Sequence, residues 1–263
     1  MEAPSTPNSP SSPETTKEHN SPATDLRKAN VFIAISGLIG AGKSTLATHL
    51  GKRLGLPVYY EPVADNEYLE EFYKDMKTMS FQYQIYLFNR RFEQHQQIIW
   101  SKEGGVQDRT IYEDSVFCAM LHESGLMTDR EYKIYCDLFA NMSNFMRRPN
   151  FIVHLDVTPE ESMERIKERA RGCETGITLD YLRNLHRHYE KFIQDISRSV
   201  LVIRVKWDKF RDVNKVVESL AREFNKMHFL TNVMWDGERV GSIANTCSKH
   251  TKSLRNTTDG DDS

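Results

Sequence analysis

Cysteine is scarce in this chain. Four in 263 residues, Cys118, Cys136, Cys173 and Cys247, show no close pairing. They read as reduced thiols of a cytoplasmic protein and not as a disulfide frame or a zinc site. Net charge is also nearly absent: 35 Lys and Arg against 37 Asp and Glu leave −2 at pH 7. That balance argues against a nucleic-acid partner. No apolar stretch approaches the length of a bilayer span, so no membrane contact is expected. The first 29 residues lack large apolar side chains and are rich in Ser, Pro and Thr. Such a composition does not offset the entropy of ordering, and residues 1–29 read as a disordered tail. Without an apolar segment the tail is not a secretory signal. Glu2, Glu14, Glu18 and Asp25, with Arg27 as its only arginine, make it a poor mitochondrial presequence.

What is present is concentrated in Gly37-Leu38-Ile39-Gly40-Ala41-Gly42-Lys43-Ser44. A glycine, four intervening residues and then Gly-Lys-Ser fit the phosphate-binding loop. Glycine permits positive φ and lets backbone amides crowd a phosphate, and the helix that follows adds its positive end. Lys43 would reach the β- and γ-phosphates, and the Ser44 hydroxyl would hold Mg²⁺. The context agrees, because Val31 to Ile35 is an apolar run suited to a buried parallel strand and Thr45 to Leu54 reads as a helix.

Strand and helix signals alternate from residue 31 to about 228. Pro57–Tyr60, Val106-Gln107, Phe151–Leu155 and Val200–Ile203 are further strand candidates. Helices are expected over Ser80–Trp100, Ser115–Ser124, Asp129–Met146, from Thr158-Pro159 onward, over Leu179–Ile196 and over Val213–Lys226. The alternation implies an α/β fold, a five-stranded parallel sheet flanked by helices. No internal repeat is visible.

Three groups could carry chemistry. Glu61 follows the second strand, where open α/β sheets bind ligands, and its carboxylate could take a proton from an attacking hydroxyl. A solvated acid or a helix N-terminal charge is the plainer alternative. Asp108-Arg109 closes the third strand: the acid could hold Mg²⁺ and the arginine could steady a phosphoryl group, or the two could form a strand-end salt bridge. Arg165, Arg169 and Arg171 could fold over a phosphate as a lid, with Gly172 and Gly176 bracketing a hinge. With Glu164 and Glu168 interleaved, a solvated charged helix is the alternative.

Together these groups resemble the deoxynucleoside kinase family over roughly residues 30–228. The resemblance rests on residues 37–44, Glu61-Pro62-Val63, Phe72-Tyr73, Ser80-Phe81-Gln82-Tyr83-Gln84, Asp108-Arg109-Thr110, the arginine lid and the stretch ending at Glu190. The chain looks most like the bacterial-type deoxyadenosine kinases. The resemblance implies the P-loop kinase fold with an arginine-rich lid, ATP as phosphate donor and Mg²⁺ as cofactor. Glu61 would be the base for the sugar 5′-hydroxyl, with Arg109 and Lys43 completing the catalytic set. Gly37, Gly40, Ala41, Gly42, Lys43, Ser44 and Thr45 would hold ATP, with Arg165, Arg169 and Arg171 above it and Asp208, Lys209 and Phe210 beside its adenine. Tyr73 and Glu190 would bind the 3′-hydroxyl, Gln84 the base edge and Tyr83 the base face. Arg91 and Asp114 match an Arg–Asp pair of members that accept purines or deoxycytidine, a pair that thymidine-preferring members tend to lack. Ser44 and Asp108 would serve the metal. One departure is Asn66, where many animal members have Trp.

The implied reaction is phosphorylation of the 5′-hydroxyl of deoxynucleosides, deoxyadenosine first. A nucleoside monophosphate kinase of the thymidylate type would need extra cations near Glu61, and none is evident. A non-catalytic accessory subunit would be expected to have lost catalytic groups that are all retained. A P-loop GTPase would need an Asn-Lys-Xaa-Asp stretch, which is missing. The domain plan is a tail over 1–29, a kinase domain over 30–230 and an extension over 231–263. Trp235 among aliphatics suggests an extension that packs on its own domain or contacts another subunit. The family implies a homodimer, and the extensions could raise it to a tetramer.

Overall fold

The computed structural model describes residues 30–61, 66–207, 214–220 and 222. All but Arg222 belong to a compact unit that ends at Ala221. The two tails, residues 62–65 and Asp208 to Val213 lie outside the described residues.

The sheet grows from Phe32–Gly37 (β1), every residue of which is buried. A strand sealed on both faces must be apolar throughout, as Phe32-Ile33-Ala34-Ile35 is. Val58–Tyr59 (β2), Gly105–Asp108 (β3), Phe151–Asp156 (β4) and Leu201–Lys206 (β5) complete five parallel strands in the order β2-β3-β1-β4-β5. The five-stranded parallel sheet expected from the alternation is therefore present. Ile35 lies opposite both Asp108 and Val153, so the carboxyl ends of β1, β3 and β4 open along one edge. Phosphate loop, Glu61 and Asp108-Arg109 all follow strands at that edge, the crevice where such sheets take ligands.

The helices are Lys43–Leu54 (α1), Glu67–Lys74 (α2), Met76–Ser101 (α3), Asp114–Glu123 (α4), Asp129–Ser143 (α5), Pro159–Arg169 (α6) and Leu179–Ile196 (α7). Residues 214–220 are helical as well, inside the span expected for the last helix. The start of α6 follows its sequence signature. Thr158 caps the chain, Pro159 takes the first turn, and Glu161 closes a capping box. The same device, Thr128 with Glu131, starts α5.

Two details add to the sequence reading. Helix α2 was not expected. Asn66 caps it by accepting from the Tyr68 amide at 3.1 Å, which gives the departing residue a structural use. The proposed Gly172–Gly176 hinge is a turn of 3₁₀ helix that packs against α2. A Cβ on Gly176 would come within 3.1 Å of the Tyr73 carbonyl, so that glycine serves close approach.

Candidate active site

The phosphate loop joins β1 to α1. Gly40 and Gly42 hold φ of 78° and 91°, values that side chains rarely tolerate. A Cβ on Gly40 would stand 2.9 Å from Ile166 on α6, so the loop touches the lid helix directly. Ser162 donates to the Ile39 carbonyl, and Arg165 donates to the carbonyls of Ala41 at 3.2 Å and Trp207 at 2.5 Å. The first lid arginine is thus bound to the loop itself. Arg169 and Arg171 instead turn to Glu174, at 2.6 and 3.6 Å. Lys43 is buried and donates to the Leu38 carbonyl at 2.8 Å. Burial and the nearby Arg109 charge bring its ammonium down to about 8, against the pull of Asp108, Glu61 and Glu113.

Next to the loop lies a buried ion network. Glu61 accepts from Arg91 Nη2 at 2.5 Å and sits 3.1 Å from Arg109 Nε. Burial alone would raise its carboxyl, but Arg109 and Arg91, with Lys43, outweigh it and hold the group at about 2. Arg91 also pairs with Asp114, and both side chains are sealed from solvent. Arg109 holds a positive φ of 68° just after β3. Its amide still donates to the Ile35 carbonyl at 3.0 Å, which extends the β1–β3 ladder as the chain turns. Its guanidinium lies 4.8 Å from the centre of the Phe117 ring and reaches Glu113 at 3.0 Å. A non-glycine residue kept in that conformation at a strand end marks a site that the surroundings over-determine.

These groups border a cavity of about 950 Å³. Gly40, Gly42, Lys43, Ser44 and Thr45 line one end, and Arg165, Arg169 and Arg171 reach it from the lid. Glu61 and Arg109 line it as well. Tyr73, Tyr83, Gln84 and Arg91 line the far part, with Leu87 and Phe117. Tyr83 stacks on Phe72 at 4.5 Å between ring centres, so one face of its ring is covered. Gln84 is buried, and its Oε1 faces the Cys118 thiol at 3.8 Å.

Ser44 Oγ donates to Asp108 Oδ2 at 2.5 Å, and Asp108 Oδ1, buried, has no hydrogen-bond partner among the described residues. Burial raises the Asp108 carboxyl, while Lys43 opposes it. A hydroxyl and a carboxylate beside a phosphate loop are hard oxygen donors that suit Mg²⁺. No group of three or more His, Cys, Asp or Glu forms a metal cluster among the described residues.

Most of the expected site residues therefore meet. Glu190 does not. Its carboxylate pairs with Arg204 at 2.7 Å and lines a separate cavity beside β5. One residue along a helix turns a side chain by about 100°, and it is Tyr189 that points inward. The acid beside Tyr73 is Glu174, buried and lining the main cavity. Asp208, Lys209 and Phe210 lie outside the described residues. Glu113, Tyr189, Glu174 and Tyr181 were not expected at the site. The Arg109–Glu113 spacing of four was the one local hint.

Residues 33–228 match the family described as deoxynucleoside kinase. The chain is 59% identical over 201 residues to a deoxyadenosine kinase of Dictyostelium discoideum, covering 76% of this chain and 82% of that one. A deoxyadenosine/deoxycytidine kinase of Bacillus subtilis is 36% identical, with 76% and 92% covered. Among solved structures, the deoxyadenosine kinase of M. mycoides with bound dATP superposes with a TM-score of 0.65 at 31% identity, covering 74% of this chain and 99% of that one. A phosphate loop, a lid arginine seated on it and a Glu–Arg network lining the same cavity agree with these matches: the chain belongs to the deoxynucleoside kinase family.

Proposed function

We propose that the chain transfers the γ-phosphoryl group of ATP to the 5′-hydroxyl of deoxynucleosides. Deoxyadenosine is preferred, and other purine deoxynucleosides and deoxycytidine are accepted. The observation that carries this reading is the buried Arg91, which joins Glu61 to Asp114 at the wall of the cavity. Arg91, held by Asp114, and Gln84 both line that cavity and together offer donors and an acceptor to a base edge, and adenine presents an exocyclic amine and ring acceptors. The 59% identity to a deoxyadenosine kinase supports the same preference.

In this reading the nucleoside lies in the far part of the cavity, with Tyr73 and Glu174 near its 3′-hydroxyl. Glu61 takes the 5′-hydroxyl. Held at about 2, it is ionised at neutral pH and always ready to accept that proton. Its low basicity leaves most of the catalysis to positioning and charge neutralisation, as phosphoryl transfer requires. Lys43, Arg109 and the lid arginines supply the positive charge. Ser44 and Asp108 would hold Mg²⁺, which when bound would supply positive charge against the developing negative charge on the phosphates.

Assembly and location belong to the same proposal. Trp100, Ile134 and Phe145 are 71%, 48% and 81% exposed on or just beyond α3 and α5, an apolar display suited to a homodimer. A tetramer through the extensions and residence in the cytoplasm are proposed from sequence. No helix among the described residues is long and apolar enough to cross a membrane.

The reaction class is tested by offering deoxyadenosine and deoxyadenosine 5′-monophosphate separately, with ATP, in a coupled assay. Turnover of the nucleoside alone is expected. Turnover of the monophosphate alone would contradict the reading and favour a nucleoside monophosphate kinase.

A further inference from the structure

Arg109 stands between two carboxylates. Its Nε lies 3.1 Å from Glu61, which faces the cavity. Its Nη1 donates at 3.0 Å to Glu113 Oε1, on the side away from the cavity. The same oxygen accepts from the Tyr189 hydroxyl at 2.5 Å and from the Gly37 amide at 3.4 Å. The Tyr189 hydroxyl also touches Arg109 Nη1. Glu113 is 1% exposed, Arg109 2% and Tyr189 0%.

One buried carboxylate oxygen thus gathers donors from three places: the end of β1, the turn after β3, and α7. A carboxylate sealed in protein is costly unless donors hold it, and an apolar pair of similar size would often stabilise the fold as well. A stability role does not account for the choice of residues. What the arrangement uniquely fixes is the roll of the Arg109 guanidinium, whose planar fork can face only one way once Nη1 is held.

We infer that Glu113 and Tyr189 are positioning residues for phosphoryl transfer. They hold the Nη1 edge of Arg109, present its other edge to Glu61 and the phosphoryl group, and tie that guanidinium to the first glycine of the phosphate loop. Without this anchor the guanidinium is free to roll, and the edge that now faces Glu61 at 3.1 Å no longer holds one orientation toward Glu61 and the phosphoryl group. The loss then falls on turnover and not on binding. The inference rests on the role proposed above for Arg109.

The test is steady-state kinetics with ATP and deoxyadenosine on Tyr189→Phe and Glu113→Gln. Tyr189→Phe keeps the ring that packs on Phe117 and His154. It should lower kcat about tenfold while both KM values stay within about twofold. Placed on an Arg109→Lys background, it should lower kcat by less than about twofold, because the group it positions is already gone. An undiminished effect on that background, a rise in KM without a fall in kcat, or an unchanged kcat would each overturn the inference. Glu113→Gln should follow the same pattern. If that variant does not fold, Tyr189→Phe decides alone. A wild-type chain inactive on deoxyadenosine would instead sink the substrate reading, and this role with it.

Discussion

Arg91 donates to Glu61 at 2.5 Å with one nitrogen and meets Asp114 with another. A single buried guanidinium at the cavity wall thereby connects the carboxylate beside the phosphate loop with a fully buried aspartate. In the proposed reading, base recognition and proton acceptance share this link, and substitutions at its ends should separate them.

At the catalytic end, Glu61→Gln removes the proton acceptor and keeps the shape. Turnover should fall by about 100- to 10,000-fold, the range that a positioned base contributes. ATP binding should survive, because Lys43, Ser44 and the loop amides are untouched. Coupled-assay rates together with calorimetric ATP titration check this. Near-normal turnover would remove Glu61 from the role of base.

At the recognition end, Asp114→Asn leaves Arg91 buried with Glu61 as its remaining charged partner. Breaking a buried pair in this way costs about 3–5 kcal/mol of stability. The ratio of kcat/KM for deoxyadenosine over thymidine should fall about tenfold, the equivalent of about 1.4 kcal/mol. Urea unfolding and parallel kinetics measure both effects. An unchanged ratio would assign Asp114 to the fold alone.

Two buried histidines set a pH limit. Burial holds His95 at about 4, with Arg147 adding to the effect, and His154 at about 4, with Arg204 adding to it. A fall from the ordinary 6.5 to about 4 is worth about 3 kcal/mol for each ring. Below pH 6.5 the unfolded chain binds more protons than the native one, so stability falls as pH drops from about 6.5 to about 4. Above that window these groups contribute no slope. The urea midpoint should therefore drop between pH 7 and pH 5, and His95→Phe should reduce the drop. An equal drop in the variant would exclude His95 as a source.

The sequence carried the local devices well. Gly37–Ser44, the Thr158-Pro159-Xaa-Glu161 cap and the apolar β1 and β4 strands are each set by neighbours a few residues apart, where spacing and conformational preference decide. What it hid is long-range. Glu113 meets Tyr189 across 76 positions, and no periodicity links them. Glu190 was set with Tyr73 because it stands in the matching stretch, and Glu174 was not singled out. Only the packed phase of α7, which buries Tyr189, turns Glu190 outward to Arg204. Helix α2 escaped because its eight residues are too few for periodicity to stand out.

The central claim is the identity of the acceptor. Measuring kcat/KM with saturating ATP for deoxyadenosine, deoxyguanosine, deoxycytidine, thymidine and adenosine tests it most directly. The account predicts deoxyadenosine first, deoxyguanosine and deoxycytidine behind it, and thymidine and adenosine last. Thymidine or adenosine at the head of that order would contradict it.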